Sequence, residues 1–160
     1  MIDELYGAAR KRKDKGKSYK LIYKFGKFLA VTLYPIKAGF TKKAGIDKNS
    51  QFIISLTTFP DRIGTVWITI STLLDQIEKA KRVILYLAKE QFPDEEKGLP
   101  KKLLKLKDRG LEIVFCDDLK PHKKYYYAIK DNPESIVITA DDDMLYPESM
   151  TKDLMDAYRK

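Results

Sequence analysis

Asp141, Asp142 and Asp143 stand directly after a short apolar run, residues 135–140 (Ser-Ile-Val-Ile-Thr-Ala). Its β-branched residues predict a buried strand. Side chains alternate faces along a strand, so Asp141 and Asp143 are expected to point roughly one way and Asp142 the other. Carboxylates this close repel one another unless a cation, a positive side chain or a proton relieves them. Hard oxygen donors at the mouth of a sheet suit Mg²⁺ or Mn²⁺, shared with the phosphates of a substrate. The triplet therefore points to a metal-dependent site for a nucleotide diphosphate.

Other acidic chemistries fit less well. A calcium loop beginning at Asp141 would need glycine sixth and glutamate twelfth, and Tyr146 and Lys152 stand there. An aspartyl phosphotransferase would carry its acids after the first strand, whereas these follow the fourth, and Leu145 replaces the residue its motif needs. Neither a P-loop nor a Gly-x-Gly-x-x-Gly turn occurs. With one histidine, His122, and no nucleophile-elbow serine, a hydrolase triad lacks its base. His122 reads as a surface residue. The single cysteine, Cys116, cannot form an intramolecular disulfide, fits a reducing compartment, and closes an apolar run where burial is expected.

Four strands and four helices must position these groups. The run 52–56 reads as a strand, followed by the turn 57–64 and a helix over 65–79 capped by Thr65, with Val66, Ile70, Leu73, Leu74 and Ile77 inward. A second strand spans 82–88, a basic helix 100–107 stops at Gly110, and a third strand covers 111–116. A third helix contains 125–130, the fourth strand spans 136–140, and a closing helix over 148–159 turns Met150, Leu154, Met155 and Tyr158 inward. Strands alternating with helices at this spacing predict right-handed βαβ units, hence an α/β, Rossmann-like, mostly parallel sheet.

Ligands of such sheets collect beyond the carboxyl ends of the strands. All four predicted ends carry polar clusters: Thr57, Thr58, Asp61 and Arg62; Lys89 and Glu90; Asp117 and Asp118; and the aspartate triplet. Two readings stand for Asp117-Asp118, a solvated turn or a ligand contact. Two stand likewise for Lys123 and Lys124, solvated helix lysines or positive charge for a diphosphate.

Charge divides the chain into an N-terminal segment, 1–50, and an α/β domain, 51–160. The first holds 13 Lys/Arg against 4 Asp/Glu, the second 18 against 19, so the basic character belongs to the segment and not to the domain. Nucleic acid is accordingly not the expected partner of the domain. Residues 1–20 read as a polar helix or arm. Residues 20–40 alternate apolar and basic groups, and on a helix Leu21, Phe25, Phe28 and Leu29 share a face. Residues 8–40 are thus a candidate for peripheral contact with anionic membrane, the other reading being a helix packed on the domain. No apolar run reaches the roughly 20 residues of a membrane span, and no export signal is evident at the N-terminus.

The stretch 54–63 (Ile-Ser-Leu-Thr-Thr-Phe-Pro-Asp-Arg-Ile), with Trp67, residues 71–76 (Ser-Thr-Leu-Leu-Asp-Gln), Leu85-Tyr86-Leu87 and residues 138–143, resembles the nucleotide-binding half of bacterial glycosyltransferases of the GT-A fold, near family 2. The resemblance covers about residues 51–160. It implies a nucleotide pocket from Thr57, Thr58, Pro60, Asp61 and Arg62, with Asp117 or Asp118 at the base, and a UDP-sugar-like donor. It also makes Asp141 and Asp143 the Asp-x-Asp motif for ribose and metal, Mn²⁺ or Mg²⁺; Lys124 is a nucleotide-site candidate on its charge and position and not on the resemblance. Members of that family continue past this motif with an acceptor-binding region and a catalytic base, whereas this chain stops at Lys160. The expectation is therefore a glycosyltransferase or its donor-binding half, apparently truncated, with no catalytic residue named. Its expected place is surface-polysaccharide synthesis in the cytoplasm at the inner membrane face. An uncovered strand edge or apolar face would favour a homo-oligomer. The alternative is a non-catalytic binding protein whose basic arm contacts nucleic acid or anionic membrane.

Overall fold

The computed structural model describes residues 44–160. The expectations for the arm 1–20 and the amphipathic stretch 20–40 lie outside the described residues. Four strands form one sheet: β1 (Phe52–Thr57), β2 (Arg82–Ala88), β3 (Leu111–Cys116) and β4 (Ile136–Thr139). Their order is β3-β2-β1-β4, and every pairing is parallel. Among the described residues there are five α-helical pieces, in chain order α1 (Pro60–Ile63), α2 (Val66–Leu74), α3 (Lys101–Leu104), α4 (Lys123–Asp131) and α5 (Met150–Tyr158). The α/β, mostly parallel architecture read from the periodicity is the observed one.

β1 and β2 are covered on both sides, which explains why apolar residues dominate both, with Ser55 of β1 buried among them. On one side Ile54 and Leu56 of β1 and Val83, Leu85 and Leu87 of β2 pack with Ile70, Leu73 and Leu74 of α2. On the other, Ile53, Ile84, Tyr86 and Cys116 pack with Ala128 of α4. Each such large side chain taken from water contributes roughly 1.5–3 kcal/mol. The helices lie on opposite faces for a topological reason. From β1 the chain steps outward to β2 and β3, then returns past both to β4, and right-handed crossovers in opposite directions must use opposite faces. The order reverses between β1 and β4, which opens a crevice at their carboxyl ends.

Three local expectations are corrected. The helix expected over 65–79 ends at Leu74. Beyond it the backbone takes tertiary partners: Ile77 N–H donates to the Glu148 carbonyl (2.9 Å), while buried Gln76 donates to Thr72 O (3.0 Å) and Pro147 O (2.9 Å). Ile77, expected inward, is consequently exposed. The basic helix 100–107 is a single turn, α3, continuing as a 3₁₀ helix (Lys105–Arg109). Gly110 ends it as expected, in the left-handed region (φ 108°) and too close to Ile46 for a Cβ. In α5, Met155 is buried, but Leu154 and Tyr158 are exposed. Thr151 sets that rotation: fully buried, it donates from its hydroxyl to Glu78 O (2.6 Å) and from its N–H to Gln76 Oε1 (3.0 Å). No helix among the described residues is long and apolar enough to cross a membrane.

Candidate functional site

The crevice between β1 and β4 is a cavity of about 360 Å³, a size suited to a small-molecule ligand. From β1 and the turn after it come Thr57, Thr58, Phe59 and Arg62. The β4 side supplies Ala140, Asp141 and Asp142, and the start of α4 with the preceding loop supplies Lys120, Pro121, Lys123 and Lys124. Gln91, just beyond β2, completes the wall.

Asp142 is the hub of the β1–β4 side. Its side chain is 8% exposed. Thr58 Oγ1 donates to Oδ2 (2.6 Å) and Arg62 Nη1 to Oδ1 (2.7 Å). Thr69 Oγ1, from the buried face of α2, donates to its carbonyl (2.9 Å). A buried carboxylate persists only when paired and hydrogen-bonded, and these contacts do both. They also tie the turn after β1 to the turn after β4. Pro60 at the start of α1 fits the fixed φ of a first helical position, and this single turn presents Arg62 over the Phe59 ring at 5.1 Å. Arg62 also meets Asp143 Oδ2 at 3.2 Å. The hydrogen bond it donates to Asp142 is the main reason the Arg62 guanidinium is held charged beyond its ordinary range.

The repulsion anticipated within the triplet is therefore relieved by side chains. Lys124 Nζ donates to Asp141 Oδ1 (2.7 Å), and Arg62 serves both Asp142 and Asp143. Asp141 and Asp143 stay open to solvent, at 65% and 47% side-chain exposure, each with a side-chain partner on one oxygen only among the described residues. Exposed carboxylates such as these are the residues that could hold Mg²⁺ or Mn²⁺, an ion commonly bound by one or two carboxylates and completed by phosphate and water. No group of three or more His, Cys, Asp or Glu side chains among the described residues is arranged to hold an ion alone.

Asp118, after β3, has a different setting. At 6% exposure it accepts from Lys123 Nζ (2.7 Å), Lys120 Nζ (2.9 Å), the Lys120 backbone N–H (2.9 Å) and Gln91 Nε2 (3.2 Å). The hydrogen bond from Lys123, then those from Lys120, hold its carboxyl well below the usual range. Lys120 adopts φ 55°, left-handed for a residue with a Cβ, as it closes this clamp. Lys123 is 3% exposed, so the solvated-lysine reading is corrected for it: the ammonium is a buried partner of Asp118. The solvated-turn reading is corrected for Asp118 in the same way.

The cavity thus gathers Thr57, Thr58, Arg62, Lys123, Lys124, Asp141 and Asp142 of the residues singled out from sequence. Pro60, Asp61 and Asp143 lie beside it and not in its wall, and Asp117 and Asp118 line a neighbouring shallow groove with Tyr125, Tyr126 and Tyr127. Exposed His122 meets the Tyr125 hydroxyl at Nδ1 (2.6 Å) in that groove. Phe59, Gln91, Lys120 and Pro121 were not anticipated. Lys120 carries a weak signal, as a cation two residues after an acid at a strand end; Gln91 carries none, because only the parallel pairing of β2 with β3 brings it to Asp118. Neither a family model, nor a curated protein, nor a solved structure matches the chain.

Proposed function

We propose that the crevice binds the diphosphate of a nucleotide sugar together with Mn²⁺ or Mg²⁺, and that the chain acts as a GT-A-type glycosyltransferase or as its donor-binding half. The observation that carries this reading is the charge of the cavity at the strand-order reversal: Arg62, Lys120, Lys123 and Lys124 against Asp141 and Asp142. Lys120 and Lys124, whose ammonium groups keep access to solvent, suit a polyanion, and the exposed carboxylates of Asp141 and Asp143 suit the ion that accompanies it. Thr57, Thr58 and Phe59 would flank the nucleoside, and Lys124, Lys120 and Arg62 would face the phosphates. A bound divalent ion supplies stabilisation of the charge that develops on a departing diphosphate. The expected setting remains the inner membrane face, where a basic N-terminal segment meets anionic lipid.

Thermal melts with UDP and Mn²⁺ test the reading. UDP at about 100 times its Kd, with Mn²⁺ present, should stabilise the fold by about 2.7 kcal/mol. Asp143→Ala should remove most of that gain while melting like wild type without ligand. No shift with any nucleoside diphosphate would overturn the proposal.

A further inference from the structure

We propose that Lys124 makes metal and diphosphate binding interdependent at this site; the inference rests on the donor-site reading above. The Lys124 ammonium lies 2.7 Å from Asp141 Oδ1, and both side chains line the cavity. A divalent cation approaching Asp141 must share the carboxylate with that ammonium, and like charges at such separations repel. A diphosphate approaching Lys124 must in turn compete with Asp141 for it. Either ligand alone therefore meets an opposing charge that the other removes. When both bind, Lys124 passes from carboxylate to phosphate and Asp141 passes from ammonium to metal, so each cation keeps an anion.

Geometry makes Lys124 the residue suited to this exchange. Its side chain is 21% exposed, against 3% for Lys123, which is committed to Asp118. Lys124 is the second residue of α4, whose backbone is anchored where Ser55 Oγ donates to the Lys124 carbonyl. The stem is thus fixed while the ammonium can swing between the strand end and the cavity. Arg62 is less free to exchange, because Asp142 holds it from a buried position.

Coupling between two ligands is reciprocal, so calorimetry of the full chain can read it from either side. Four titrations suffice: Mn²⁺ alone, UDP alone, and each in the presence of saturating amounts of the other. In the wild type each ligand should raise the affinity of the other by roughly tenfold. Lys124→Met should bind Mn²⁺ alone more tightly than wild type, bind UDP more weakly, and lose most of the coupling. Asp141→Asn should do the converse: metal-free UDP binds more tightly, and Mn²⁺ no longer improves it. Lys124→Arg should retain the coupling, which separates loss of charge from loss of fold. An unchanged coupling factor in Lys124→Met would overturn this proposal and leave the donor-site reading standing, whereas a coupling factor near one in wild type would overturn both. Absence of UDP binding under every condition would overturn both.

Discussion

Two aspartate pairs end two strands of this sheet, Asp117-Asp118 after β3 and Asp141-Asp142 after β4, and the fold treats them alike up to a point. In each pair the first acid is exposed and the second is largely buried. The buried members are structural: Asp118 gathers Lys120, Lys123 and Gln91, while Asp142 gathers Thr58 and Arg62. The exposed members diverge. Asp117 opens onto a shallow groove of tyrosines, whereas Asp141 lines the cavity and meets an ammonium that has solvent on its other side. At a strand end, burial turns a carboxylate into a staple, and only a carboxylate left at the rim remains available to a ligand.

The largest expected effect comes from the more deeply committed staple. Asp118→Ala strands Lys123 in a nearly waterless site and should cost about 3 kcal/mol, lowering Tm by roughly 10 °C. Asp117→Ala should stay within about 0.5 kcal/mol. Equal losses in the two variants, measured by urea and thermal melts, would erase the distinction within that pair.

Asp142→Ala should cost less, about 2 kcal/mol, because Arg62 can turn to solvent and to Asp143 while Thr58 loses its acceptor. It should also abolish the UDP-induced shift, since the turn carrying Arg62 is no longer fastened to β4. Asp141→Ala, its exposed neighbour, should melt within about 0.5 kcal/mol of wild type. A stability loss at Asp141 matching that at Asp142 would break the parallel between the pairs.

Acid sharpens the comparison further. Asp118 is held well below its ordinary value of 3.8, chiefly by Lys123, so it binds protons more weakly folded than unfolded. Its contribution is complete above about pH 4 and is lost only as pH falls through the lower folded value. The Tm difference between wild type and Asp118→Asn should hold steady from pH 8 to about pH 4 and shrink below that. A difference that vanished near pH 5 would mean the clamp is weaker than its geometry.

The smallest effect is chemical. Burial pushes the Cys116 thiol from 9.0 up to about 11, which leaves roughly a hundredfold less thiolate at neutral pH. Its side chain donates to the Leu87 carbonyl in the β2–β3 pairing (3.5 Å). Iodoacetamide should therefore label native protein far more slowly than unfolded protein, and Asp118→Ala should speed labelling by loosening the chain end that follows. Fast labelling of the native wild type would show that the β3 end opens readily.

The strands and most helices were legible because their signal is local. A run such as 52–56 is apolar but for the buried Ser55 because both its faces are covered, and Gly110 stops a helix by its own conformational freedom. The misread parts share one cause. Ile77, Leu154 and Tyr158 have the right spacing for buried helical faces, but bonds from Gln76 and Thr151 to distant backbone end one helix early and rotate the other.

At the site the division is similar. Residue order alone established that acids, hydroxyls and cations cluster after successive strands, since any chain alternating strand and helix puts its turns at the sheet's ends. Tertiary structure decided the rest: β4 lies beside β1, Asp142 and Asp118 turn inward, Lys123 is buried and Lys124 is left at the rim. For Asp142 the outcome depends on Arg62, 80 residues away. For Asp118 it depends on Lys120 and Lys123 nearby in the chain and on Gln91 from beyond β2. In both, a carboxylate's charge, hydration and availability are set by what the fold packs around it.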